Sequence, residues 1–89
     1  MSRGRSRHRP SAVQRELRHL IGRLVDEPDE VRIRESAKGS ETLFQVRVDR
    51  DDLGKVIGRQ GRTAEALRTV LEIRGDYDDR DYGLEIRES

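Results

Sequence analysis

The sequence predicts an α+β domain ordered helix, strand, strand, helix, helix, strand, with one three-stranded mixed sheet covered on one face by helices. Three observations carry this. An apolar stripe at helical spacing runs from Val13 to Leu24. Segments that alternate apolar and polar residues follow it and recur at the end of the chain. Between them, "KVIGRQGRTAEALR", Lys55 to Arg68, sets two glycines between two helix-like segments.

The 89 residues amount to one domain, of which 31% are hydrophobic and 42% charged. So short and polar a chain buries little surface, and a partner or dimer contact would add to its stability. With no cysteine it has no disulfide framework, thiolate metal site or thiol nucleophile. No apolar run approaches the roughly 20 residues that span a membrane. The basic start leads into no apolar stretch and does not read as a secretory signal, so the expected setting is the cytoplasm. Arg3, Arg5, Arg7 and Arg9 lie in the first ten residues, which hold none of the 18 acids. The rest of the chain, with the other 15 of the 19 basic residues, is net acidic. Residues 1–10 are therefore expected to be a disordered basic tail, either a phosphate-contacting arm or a solvated terminus, and residues 11–89 the domain.

Ser11 and Gln14 have capping-box spacing after Pro10. Val13, Leu17, Leu20, Ile21 and Leu24 form the stripe of the first helix, which Pro28 prevents from continuing. In "VRIRES" and "TLFQVRVD" the apolar residues Val31 and Ile33, then Phe44, Val46 and Val48, alternate with polar ones. The two segments read as an antiparallel hairpin turning at Ala37 to Ser40. Asp49 suits the cap of a short helix, with Asp51 and Asp52 in its first turn and Leu53, Val56 and Ile57 as its apolar face. "RTAEALRTVLEIR" is a third helix, "GDYDDRD" an acidic loop, and "YGLEIRE" a strand with Tyr82, Leu84 and Ile86 on one face. A helical crossover before that strand makes it parallel to the second.

Glycine tolerates positive φ and lets another backbone approach closely. The first N–H groups of the helix after Gly61 lack internal partners, and that end carries partial positive charge. A phosphate meets both features there, and Lys55, Arg59 and Arg62 surround the turn with cations. A dinucleotide fingerprint would need a third glycine after a strand, and a Walker loop a hydroxyl where Val56 stands. A helix–Gly-x-x-Gly–helix matches instead the KH module, whose loop clamps about four nucleotides of single strand. The plain alternative is a helix–turn–helix corner with two capping glycines.

"LVDEPDEVRIRE" and "FQVRVDRDDLGKVIGRQGRTAEALRTVL" resemble the KhpA family of short bacterial KH-domain proteins, most specifically over "DDLGKVIGRQGRTAEALR". The resemblance implies a single type II KH domain that binds RNA, with Gly58, Arg59, Gln60 and Gly61 as the clamping loop. It also implies pairing with a second copy or with a larger KH-containing protein, and a role as an RNA chaperone or regulator in cell elongation and cell shape. The long basic tail and the acidic loop Asp76 to Asp81 depart from the family pattern; the loop would repel RNA if it lay near the groove.

The expected RNA contacts are Lys55, Val56, Ile57, Gly58, Arg59, Gln60, Gly61 and Arg62. Val46, Val56, Ile57 and Ala64 are either walls of an apolar groove between the second helix and second strand, or core. Phe44, Tyr77 and Tyr82 are too few for an aromatic stacking surface. His8 and His19, the carboxylate pairs Asp51–Asp52 and Asp78–Asp79, and the hydroxyls compose no catalytic or metal motif, so neither enzyme chemistry nor a cofactor is expected. On the third helix Ala64, Leu67 and Leu71 form one stripe and Ala66, Val70 and Ile73 a second, together wider than packing on a sheet requires. Either both are buried, or one is an interface tested at Leu67 and Val70. A dimerisation or protein-interaction module with weak RNA contact is thus the alternative function.

Overall fold

Ser11 caps the first helix as its spacing predicts: its Oγ accepts the Gln14 backbone N–H at 3.0 Å. The return half of the capping box is absent. Glu35, from the neighbouring strand, instead accepts the Ser11 hydroxyl and the Gln14 side-chain amide, each at 2.9 Å. In this computed structural model, which describes residues 9–89, α1 spans Ala12–Gly22. The tail therefore lies outside the described residues except for Arg9 and Pro10. α1 also stops short of the predicted end. Glycine is a poor helix former, and beyond Gly22 the chain turns so that Val25 enters the core and Leu24 stays partly exposed.

β1 (Arg32–Lys38) and β2 (Glu41–Val48) form the expected antiparallel hairpin, with Arg32 opposite Arg47 and Lys38 opposite Glu41. α2 (Leu53–Ile57) and α3 (Arg62–Asp78) lead into β3 (Asp81–Glu88), which pairs parallel to β2, Phe44 beside Leu84. The sheet order is β1-β2-β3. Burial alternates along β2: Thr42, Phe44, Val46 and Val48 lie under the helices, while Glu41, Leu43 and Arg47 face outward. Val13, Leu17 and Ile21 of α1, Val56 of α2, Leu67 and Leu71 of α3, and Leu84 close the core over this row. Phe44 has no exposed surface and meets the Tyr82 ring at a centroid distance of 5.6 Å. Burying such a side chain contributes roughly 2–3 kcal/mol.

The predicted acidic loop is mostly helix. α3 continues through Asp78, and Asp79 ends it in a left-handed conformation. Asp78 is engaged on both sides: Arg74 Nε donates to it at 3.1 Å and the Tyr82 hydroxyl at 2.6 Å. Arg80 then closes the corner by donating to Thr42 Oγ1 and to the carbonyls of Gly39 and Glu41. The 17 residues of α3 span about 25 Å, so these acids stand at the far end of the helix from the glycine turn.

Candidate nucleic-acid interface

The two glycines differ in what they demand. Gly58 ends α2 with φ 79° and ψ 169°, a conformation essentially restricted to glycine. A Cβ there would also overlap Thr63 Oγ1 and stand 2.8 Å from the Thr63 backbone nitrogen. Gly61, the residue before α3, is left-handed at φ 73° and ψ 13°, with open space where a Cβ would project. Between them Arg59 and Gln60 form one tight turn, Gln60 itself at φ 57°. The Gly58 N–H donates back to Gly54 and that of Gly61 to the Gly58 carbonyl, so the turn is held by its own backbone.

Gly61 brings no side chain, and no side chain caps the start of α3. The Gly61 and Arg62 N–H groups donate to the Gly58 and Arg59 carbonyls within the turn, so what this end offers outward is the partial positive charge of the helix. Arg59, Gln60 and Arg62 are exposed around it. Among the described residues, neither arginine has an ion-pair partner. The arrangement suits an anionic chain: the positive end of a helix at the centre and two exposed guanidinium groups at the rim.

Lys55 is placed differently from the expectation of a free cation. Its ammonium lies 3.2 Å from Asp26 and 3.4 Å from Asp52. Hydrogen bonds to these two carboxylates raise its pKa. Asp52 was the residue whose role sequence reasoning missed. Rather than capping α2, its buried carboxylate accepts the backbone N–H groups of Asp26 and Glu27 at 3.1 and 3.0 Å, tying the segment after α1 to the start of α2. Burial pushes the Asp52 carboxyl up, but the two backbone donors and Lys55 outweigh it and leave the pKa below its ordinary value. No local signal pointed to this, because Asp26 and Asp52 are distant in sequence.

Of the four proposed groove walls, Val46, Val56 and Ala64 are core. β2 is the central strand, hydrogen-bonded on both sides, and its inward residues are fully covered. α2 packs against α3 and the edge strand β3, and Ile57 is the one of the four with exposed surface. The stripes of α3 also separate. Ala64, Leu67 and Leu71 are buried, whereas Val70 is 49% and Ile73 56% exposed. Leu67 is thus a core residue and not part of an open interface, since its side of α3 faces the sheet and α1.

This element order, with the glycine turn joining two helices over a mixed sheet, was what the sequence resemblance implied. Residues 14–86 match the family described as KhpA/KhpB, KH domain. The chain belongs to that family. Among relatives of this KH domain, the RNA-binding protein KhpA of Streptomyces coelicolor is 49% identical over 59 residues, 66% of this chain and 75% of that protein. The RNA-binding protein KhpA of Chlamydia trachomatis is 36% identical over 72 residues, 81% of this chain and 92% of that one. No solved structure matches. Among the described residues the KH domain holds no group of three or more His, Asp or Glu side chains arranged for a metal ion, and no helix long and apolar enough to cross a membrane.

Proposed function

We propose that this KH protein binds single-stranded RNA without catalysis, clamping the backbone at Gly58, Arg59, Gln60 and Gly61. The uncapped start of α3 beside the glycine turn carries this reading. The positive end of α3 receives the phosphates, and Arg59 and Arg62 add charge from the rim. Val56 supports the turn from within, Ile57 stands exposed beside it, and Lys55 contributes mainly by holding α2 through the carboxylates of Asp26 and Asp52. The names of the relatives, RNA-binding protein KhpA, support the same ligand. Replacing Arg59 and Gln60 together by Asp places negative charge where phosphate would sit, on two exposed positions. The expected result is at least about a tenfold loss of affinity for a short single-stranded RNA in fluorescence anisotropy, with an unchanged circular dichroism spectrum. Unchanged affinity in the folded variant overturns the clamp.

Self-association is a second property with its own support. Val70 and Ile73, together with Leu20 across the groove between α1 and α3, leave an apolar strip in the open, and Tyr77 continues it at 86% exposure. A second copy, or a larger KH-containing protein, would cover it, consistent with an RNA chaperone or regulator acting with such a partner in cell elongation. Sedimentation of the wild type should reveal a dimer that Val70→Glu dissolves; a strict monomer at high micromolar concentration overturns homodimerisation.

A further inference from the structure

The face of the sheet turned away from the helices has a pattern that no single strand reveals. The register sets Arg32 of β1 beside Arg47 of β2, and Arg47 beside Arg87 of β3. Three arginines therefore stand in one row across all three strands, and all three are exposed. Arg34 adds a fourth in the next row, beside Gln45 and Glu85. Glu85 lies 3.2 Å from Arg87 and accepts from Gln45 at 3.1 Å, and Arg32 donates to the Asp29 carbonyl at 3.0 Å. Among the described residues Arg47, at the centre, has no hydrogen-bond or ion-pair partner from its side chain. Like charges directly opposite one another weaken a sheet, so the row works against stability.

The row also lies at a particular end of the molecule. β2 and β3 run in the same direction and both finish there, and α2 follows β2 after one short turn at Arg50–Asp52. α3 runs back the other way. Gly75 packs beside Tyr82, and Arg68 reaches the Leu84 carbonyl, so the start of α3 points toward the Arg87 end of β3. The glycine turn and the arginine row therefore share one end, on opposite faces of the sheet, with the edge strand β3 between them.

We propose that Arg32, Arg47 and Arg87 form a second phosphate-binding row, which holds the continuation of an RNA strand beyond the glycine turn. Three adjacent strands set the outer arginines about 10 Å apart at the backbone, a line suited to consecutive charges of one flexible polyanion. Guanidinium groups offer paired donors that match phosphate oxygens. The face lacks the apolar, aromatic centre of a protein interface: the row beyond Arg34 holds Ser36, Leu43 and Gly83, of which only Leu43 is a large apolar residue. The direction of the strand rests on the clamp proposed above; the row itself does not.

Full-length wild type and the double variant Arg47→Gln, Arg87→Gln would be titrated with labelled oligouridine of 5 and of 20 nucleotides. The clamp accounts for about four nucleotides, so the 5-mer should bind both proteins equally. The 20-mer should bind the variant roughly tenfold more weakly, and its plot of log K against log salt should be shallower by about 1.4, the value for two lost phosphate contacts on a single strand. Thermal stability should be equal or slightly higher, because like charges have been removed. An undiminished 20-mer affinity, as expected if the row meets an acidic protein surface instead, overturns the proposal, as does an equal loss on both lengths. The Arg59→Asp, Gln60→Asp variant separates the two sites. If it binds the 20-mer normally while the arginine variant does not, the clamp fails and the row stands.

Discussion

The two flanks of the glycine turn carry similar charge and are used differently. Upstream, Lys55 is joined to Asp26 and Asp52, and Val56 is fully buried. Downstream, Arg59 and Arg62 reach into solvent without ion-pair partners among the described residues. One flank builds the corner and the other stands exposed. A cation near a binding motif thus cannot be assigned to the ligand from proximity alone; its carboxylate neighbours decide how much of its charge remains available.

The sharpest break of that division is at Gly58. Alanine there combines a glycine-only backbone conformation with an overlap against Thr63, and should cost at least about 3 kcal/mol in a denaturant titration. Asp52→Asn comes next. It keeps the shape but removes the charge that faces Lys55, and should lower the thermal midpoint at neutral pH by several degrees. Because the folded-state pKa of Asp52 is depressed, the wild type has its full contribution above the ordinary value of 3.8 and loses it as pH falls through the lower folded value. The gap between wild type and variant should therefore close below pH 3.8, and a gap constant down to pH 2 would show that charge is not the cause. Gly61→Ala should be milder than Gly58→Ala, about 1 kcal/mol, since only the left-handed backbone is strained and the space is open. Equal costs at the two glycines would remove the distinction drawn between them. Smallest in stability is Arg62→Gln, expected within about 0.5 kcal/mol of wild type. Its effect should fall on RNA affinity, with a salt slope shallower by about 0.7.

Much of the fold was legible because its signals are local. Ser11 before the first stripe, the alternation through Phe44, Val46 and Val48, and the glycine pair each need only a few neighbouring residues to be read. The end of α3 was not. Gly75 reads as a stop, yet it sits inside the helix, because the missing side chain lets the Arg80 carbonyl approach from the returning chain. Nor could the stripes of α3 be told apart: Leu67 and Val70 are both apolar at helical spacing, and only the sheet and α1 on one side distinguish them.

By itself the sequence determined the element order, the capped start of α1, the inward and outward faces of each strand and the turn at Gly58 and Gly61. These follow from backbone sterics and from side-chain period, which act over a few residues. The tertiary structure alone decided that Lys55 is tied while Arg59 and Arg62 have no ion-pair partner among the described residues, that Asp52 holds a distant segment, and that Arg32, Arg47 and Arg87 fall in one row. The first two depend on how the segment after α1 meets α2, and the row on register across the hairpin and the crossover, where a shift of one residue would turn the same side chains to the other face.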